Sequence, residues 1–324
     1  MDLKRREFLK ITAALAAAGA APVLRAAGKE AFTVYGAPAM PSVTIAVAAQ
    51  RGQLAKQADV SLKIWRSPDQ LRAGVASGQF KVMMSPSNVG ANLRNQGRKV
   101  GMVNILTNGI TQLVCKQTIA APQDLAGKKV ILPFKNDMPD IVLQSLLKKL
   151  KIDAGKVSLT YAATPAEAVG LFLGKDYHAA VLPEPMASAC ILRGKVMGAN
   201  IVRGFDLVKA WGQAFNTKPL IPMAGIIADE AYFRAHKAQF DTFHQDLKNA
   251  LAWVNANRQS AAKIGKNYLP APEPALVMGL DGARLTVTKA SEIKNEILHF
   301  YEILMQFNPK LLGGKMPDNG LFLA

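Results

Sequence analysis

A block of sequence occurs twice, 97 residues apart, and a duplicated block restricts a chain to architectures built from two like units. Val60-Ser61-Leu62-Lys63-Ile64-Trp65 returns as Val157-Ser158-Leu159-Thr160-Tyr161-Ala162. Both copies alternate and are rich in β-formers, which predicts a short strand in each. Ser67-Pro68-Asp69-Gln70 then matches Thr164-Pro165-Ala166-Glu167. Each offers an N-cap hydroxyl, a proline at the first helical position and a Gln or Glu at N3 to close a capping box. Gly78 and Gly174 stand where these helices are expected to stop, and further strands at 80–84 and 177–182 lead to Pro86 and Pro183.

Upstream the match continues with a slip of about one residue, as an insertion in a loop allows. Strands predicted at 32–35 and 129–132 run into Met40-Pro41-Ser42-Val43 and Met138-Pro139-Asp140-Ile141, where both prolines open helices. The second helix, 140–150, puts Val142, Leu143, Leu146, Leu147 and Leu150 on one face and Lys148 and Lys149 at its carboxyl end, complementing the helix dipole. Two β-α-β-α-β units result. Such alternation predicts two open, mostly parallel α/β lobes. Ligands of such sheets bind outside the carboxyl ends of the strands, and two facing lobes enclose a cleft with hinge closure.

The 324 residues, half of them apolar and 19% charged, exclude disorder, a coiled coil and a collagen-like fibre, and the length suits two domains. Cys115 and Cys190 are too few for a disulfide framework, and two buried free thiols are expected. His178, His236, His244 and His299 include no i, i+4 pair, so no metal site is expected. His178 is placed within a strand, and His236 and His244 at the edge of a helix spanning 233–254. No Gly-x-Ser-x-Gly, phosphate-cradling glycine loop or Cys-x-x-Cys is present, so no catalytic residue and no cofactor is assigned.

Residues 1–27 read as a leader. Lys4-Arg5-Arg6-Glu7-Phe8-Leu9-Lys10 precedes an alanine-rich apolar stretch, and Ala26 and Ala27 offer a cleavage point, as in a Tat signal peptide. Five of the 40 basic and two of the 23 acidic residues lie in the leader, so the remainder carries 35 against 21, a net +14. The lysines and arginines are scattered without interleaved aromatics, which argues against a nucleic-acid partner and for a solvated basic surface. No later stretch reaches eighteen consecutive apolar residues, so a soluble, periplasmic mature chain is expected.

Four segments carry a family resemblance. They are Ala121-Pro122-Gln123-Asp124-Leu125-Ala126-Gly127-Lys128-Lys129-Val130-Ile131-Leu132-Pro133, Leu146-Leu147-Lys148, Thr164-Pro165-Ala166-Glu167-Ala168 and Ala179-Ala180-Val181-Leu182-Pro183-Glu184-Pro185. The chain over 30–255 resembles the nitrate/sulfonate/taurine-type solute-binding proteins of ABC importers, a superfamily that includes thiamine-precursor binding proteins. The resemblance implies the bilobal type II periplasmic binding protein fold, with a C-terminal helical part returning to the first lobe. Hinge crossings are expected near 106–114 and 220–227, giving lobe 1 as 28–110 and 224–324 and lobe 2 as 111–223. It also implies capture of a small-molecule ligand, delivery to an ABC transporter permease subunit after passage through the Tat export machinery, and a monomer. The alternatives are a ligand sensor signalling to a membrane partner and an enzyme like the pyrimidine-precursor synthases.

The strand-end loops supply the candidate ligand-binding residues: Met40, Ser42, Trp65, Arg66, Ser87, Asn88, Thr107, Asn136, Asp137 and Glu184. Ser42 and Asn136 are equally readable as helix caps, Trp65 as a stacking or a packing ring, and Met40 and Met138 as an apolar wall. Arg66 and Lys135 are the cations nearest the cleft, placed to select an anion or to sit on its rim. Asp137 and Glu184 point the other way, because a buried acid needs a donor or a cation. For Glu184 that donor is a ligand N–H, a cation across the cleft, or the following helix. Thr107 is a candidate beside the Asn108-Gly109 turn.

Overall fold

The computed structural model describes residues 29–324, and the leader with its cleavage point at Ala26 and Ala27 lies outside them. The first unit of the repeat is β1 (Ala31–Gly36), α1 (Pro41–Arg51), α2 (Leu54–Gln57), β2 (Asp59–Ile64), α3 (Pro68–Ala76), β3 (Val82–Pro86) and α4 (Ser87–Asn95). Then β4 (Val100–Met102) and β5 (Asn104–Thr107) lead to β6 (Thr111–Cys115). The second unit is β7 (Lys129–Pro133), α5 (Met138–Lys149), β8 (Ser158–Ala162), α6 (Pro165–Gly174), β9 (Ala179–Pro183) and α7 (Met186–Val196). After it come β10 (Val202–Arg203), α8 (Leu207–Phe215), β11 (Ala224–Asp229), α9 (Glu230–Ala235), α10 (Lys237–Ala256), α11 (Arg258–Gly265), α12 (Glu273–Gly282), β12 (Leu285–Lys289) and α13 (Lys294–Phe307).

The repeat is visible in the pairing. In one sheet β1 lies between β2 and β3, parallel to both, and in the other β7 lies between β8 and β9 in the same way. The last strands of the two trios start at Val82 and Ala179, 97 residues apart and two residues later than the hydrophobic pattern suggests. The sheets run β12-β5-β11-β3-β1-β2, with β4 beside β11, and β10-β6-β9-β7-β8. They are mixed rather than mostly parallel. Beyond each trio comes a strand that has just crossed from the other lobe, β11 beside β3 and β6 beside β9. It enters at the cleft end and runs away from it, so it pairs antiparallel.

The crossings lie where β5 hands over to β6 and α8 to β11. They are bonded side by side, the Met223 N–H donating to the Thr107 carbonyl at 3.1 Å and the Ile221 N–H to that of Asn108 at 3.3 Å. In the second sheet alternate residues feed two cores, as period-2 strands require. Leu113, Val130, Leu132 and Val181 pack with α5 and α8, while Val114, Ile131, Ala180 and Leu182 pack with α6 and α7. The C-terminal helices return to the first sheet. Phe32 of β1 meets Phe240 and Phe243 of α10 at centroid separations of 5.3 and 5.2 Å, and the Asp246 carboxylate accepts from the Gln53 and Leu54 N–H groups at the start of α2.

Four local features depart from the sequence pattern. Ser67 and Thr164 do cap α3 and α6, accepting from the Gln70 and Glu167 N–H groups at 3.2 and 3.1 Å. The N3 side chains, however, accept from Arg66 and Ala163, one residue before the cap, so the box closes one residue early in both copies. Gly78 follows its helix at φ +73°, but Gly174 is the last residue of α6 and an extended Lys175 ends it. The single helix expected over 233–254 is broken at His236, whose φ of −120° leaves the helical range. His178 precedes β9 rather than lying within it, at the end of the sheet away from the cleft, where its Nδ1 accepts from the Lys129 N–H. Cys115 and Cys190 are free and buried, and burial pushes both thiols up to about 12.

Candidate functional site

The carboxyl ends of the parallel strands face one another across a chamber of about 80 Å³. Its walls come from the β1–α1 loop, the end of β3, both crossings, and the loops after β7 and β9. Trp65, Phe134, Met138 and Ile110 give it apolar faces, and Pro38, Pro68, Pro86, Pro139, Pro165 and Pro183 surround them. Asp137 is its only charged lining residue. A wider vestibule of about 620 Å³ adjoins it through shared Pro38, Trp65, Phe134 and Pro165, and adds Arg66, Thr164, Asn267 and Tyr268.

Trp65 is held rigidly. It is buried, and its indole N–H donates to the Met84 carbonyl at 3.0 Å, leaving the ring to serve as a wall of both compartments. Asp137 sits on the 134–137 loop, where Phe134 and Asn136 adopt left-handed φ values of +59° and +61°. Two non-glycine residues in that region need support from their surroundings. Buried Asp140 supplies it, accepting from the Asn136 N–H at 2.8 Å, Gln144 Nε2 at 2.6 Å and the Tyr161 hydroxyl at 3.0 Å. Asp137 itself caps α5, with Oδ1 accepting from the Met138 N–H at 2.8 Å. Burial raises its pKa, partly opposed by that N–H and by Arg72 across the cleft.

Of the ten candidates, Trp65 and Asp137 line the chamber, and exposed Arg66 lines the vestibule. Asn88 and Asn136 lie together in a separate crevice of about 400 Å³ between α4 and the segment around Lys310. The other five are spent elsewhere. Ser42 is no cap: it lies inside the first turn of α1 and its hydroxyl donates to the Ala37 carbonyl at 2.6 Å. Ser87 donates to the Pro222 carbonyl at 2.6 Å, and Thr107 donates to that of Ala283 at 2.7 Å while accepting from the Gly109 N–H, so both hold the crossings. Met40 is buried against the second lobe, its N–H donating to the Glu184 carbonyl at 3.1 Å.

Glu184 is fully buried behind the cleft wall. It pairs with Arg203 at 2.6 Å and caps α7 by accepting from the Ser188 N–H at 3.1 Å. Burial raises its pKa and Arg203 opposes the rise. The cation is therefore on its own lobe, and α12 glycines close over the pair: a Cβ on Gly282 would lie 2.6 Å from Glu184 Oε1. Lys135 is exposed and rests over the Tyr161 ring at 5.4 Å. Asp140 and the vestibule residues Asn267 and Tyr268 stand outside the ten candidates. In sequence the chamber is marked by Trp65, Asp137, Met138 and the doubled Pro86/Pro183 strand ends. Among the described residues no group of His, Cys, Asp and Glu is arranged to hold a metal.

A two-sheet α/β chain with paired crossings and a chamber between strand ends has the bilobal periplasmic binding protein fold. The family model for the TAT (twin-arginine translocation) pathway signal sequence matches residues 2–22, so the chain carries a Tat export signal. No curated protein matches it significantly in sequence. Among solved structures it is similar to an ABC transporter protein from Parabacteroides distasonis, with 18% identity and a TM-score of 0.75 over 91% of this chain and 99% of that one. The periplasmic aliphatic sulphonate binding protein SsuA from Escherichia coli has 16% identity and a TM-score of 0.71 over 91% and 92%. The periplasmic nitrate-binding protein NrtA from Synechocystis PCC 6803 has 13% identity and a TM-score of 0.59 over 77% and 69%.

Proposed function

We propose that the protein is the solute-binding component of an ABC importer, sent to the periplasm by the Tat route, which closes its lobes on a small solute and presents it to a permease subunit. The observation that carries this reading is the chamber itself. It lies where the strand ends of two duplicated lobes meet, bordered by the two crossings about which the lobes can turn. Binding at such a place favours the closed form by its differential affinity, with no chemistry required. The lining supports a receptor, since apolar side chains and prolines dominate it, as suits the holding of a solute. The fold of the Parabacteroides and SsuA neighbours supports the importer role. Their ligands are not carried over.

The test is closure and recovery. Protein purified from the exported fraction and stripped of solute is titrated with a low-molecular-mass cell extract, following melting temperature and radius of gyration. A solute at a hundred times its dissociation constant adds about 2.7 kcal/mol of stability. A saturable rise with a smaller radius, and the solute recovered unchanged, supports the reading. A chemically altered solute, or an extract that changes neither quantity, refutes it.

A further inference from the structure

The chamber has almost no hydrogen-bond donors to offer. Proline has no N–H, and six of the chamber's eighteen lining residues are prolines. Among the donors that remain, the Trp65 indole is engaged on Met84, the Phe134 N–H on the Ala162 carbonyl, the Asp137 N–H on Phe134 and the Met138 N–H on Asp137. Of the two hydroxyls in the lining, that of Ser85 donates to the Pro86 carbonyl at 3.1 Å and that of Thr111 faces the Met223 sulfur at 3.6 Å. No lysine, arginine or histidine lines the chamber. An oxyanion taken out of water needs several donors or a cation, and here it would meet a carboxylate instead.

An acceptor is available. Asp137 Oδ1 is fixed by the Met138 N–H, whereas Oδ2 accepts no hydrogen bond among the described residues and no cation lies within ion-pair distance of it. Arg72, the cation whose field reaches it, is half-exposed and paired with Asp69 at 3.3 Å.

We propose that the solute is an apolar-bodied molecule carrying a single N–H donor head, an amine or amidinium, seated on Asp137 with its body along the Trp65 ring, and that small oxyanions are rejected. The compact chamber takes the head, and the vestibule beyond Trp65 takes the body. This rests on the solute-binding reading above and names its ligand class. The burial that raises the Asp137 pKa is the same desolvation that a cationic head offsets, since an opposite charge within a few ångströms favours the ionised carboxylate.

The experiment uses probes of one shape and different charge: benzylamine and benzamidine against benzenesulfonate, with nitrate added, titrated by calorimetry into stripped protein from the exported fraction. The aminated probes bind saturably and the anions do not. Asp137→Asn keeps an acceptor for Met138 and weakens the aminated probes roughly tenfold or more, the loss expected when a charge-assisted hydrogen bond goes. Trp65→Leu, a second variant with unchanged Asp137, weakens them through the body contact. Benzenesulfonate or nitrate binding at least as tightly as benzylamine overturns the ligand class and leaves the receptor reading intact. So does an unchanged benzylamine affinity in a folded Asp137→Asn variant. Silence from all four probes overturns the ligand class, while closure on cell extract decides the receptor reading separately.

Discussion

Replacing Arg203 by Met leaves the Glu184 carboxylate buried with Ser188 as its remaining partner. Removing one member of a buried pair costs about 3–5 kcal/mol. The lower end applies, because Arg203 is 33% exposed and its own charge gains little from the pair, whereas Glu184 is 0% exposed. About 3 kcal/mol, set against an unfolding entropy of roughly 2.1 cal/mol/K per residue over about 300 residues, lowers the melting temperature by about 5 °C. The pH dependence has a definite sign. Burial already holds the Glu184 pKa above its ordinary 4.5, and loss of Arg203 raises it further. The folded state then binds the proton more tightly than the unfolded one. The deficit is full above the folded pKa and fades as pH falls towards 4.5. Calorimetric melting of the protein, Arg203→Met and the Glu184→Gln/Arg203→Met double variant at pH 7 and pH 4.5 checks this. The single variant should lose about 5 °C at pH 7 and much less at pH 4.5, and the double variant should recover most of the loss. An equal deficit at both pH values, or a double variant as unstable as the single one, refutes the reasoning.

Asp140→Ala deprives three donors of their acceptor and should cost about 2–3 kcal/mol in chemical denaturation, with Tyr161→Phe costing about 1 kcal/mol. Solute affinity should fall with Asp140→Ala and not with Tyr161→Phe, because only the former frees the loop that carries Asp137. Gly225→Ala drives a Cβ into the Asn104 carbonyl oxygen, a clash with backbone, so soluble yield should collapse, whereas recovery of protein melting near the parent refutes the tight β5–β11 approach. Cys115 and Cys190 should resist a thiol reagent at pH 8 and react on unfolding, since burial raises both to about 12. Fast native labelling of Cys115 contradicts the packing of the sheet against α5 and α8, and of Cys190 its packing against α6 and α7.

The periodic features of the sequence survived because their causes are local. A hydroxyl three residues before an acid or amide, with proline between, caps a helix wherever it folds, and Ser67 and Thr164 do so with the same geometry. The fates of Ser87, Thr107 and Glu184 depend on partners farther along the chain. Ser87 answers to Pro222 and Thr107 to Ala283, and nothing near either position in sequence announces those carbonyls. Glu184 illustrates the limit. Its need for a counter-charge was legible from residue type, but the choice of Arg203 rests on how β10 and α7 pack. Asp140 escaped notice because a buried acid inside a helix reads as a first-turn dipole partner until Tyr161 and Asn136 are seen around it.

The prolines connect the two levels. In the sequence they serve as punctuation, opening helices at Pro68, Pro139 and Pro165 and closing strands at Pro86 and Pro183. In the structure the same five residues line the chamber, and each one deletes a backbone N–H where helix starts and strand ends would otherwise gather donors for an anion. The loss at any one helix is small, a single orphan group out of four, but here it recurs in both lobes and meets a lining with no basic side chain. Asp137 then supplies the only charge, and it is negative. A shared fold does not carry a ligand with it; under the proposed solute-binding reading, the solute is set by the donors and acceptors left at the strand ends. On the ligand class proposed above, those groups would select for N–H and against oxygen anions.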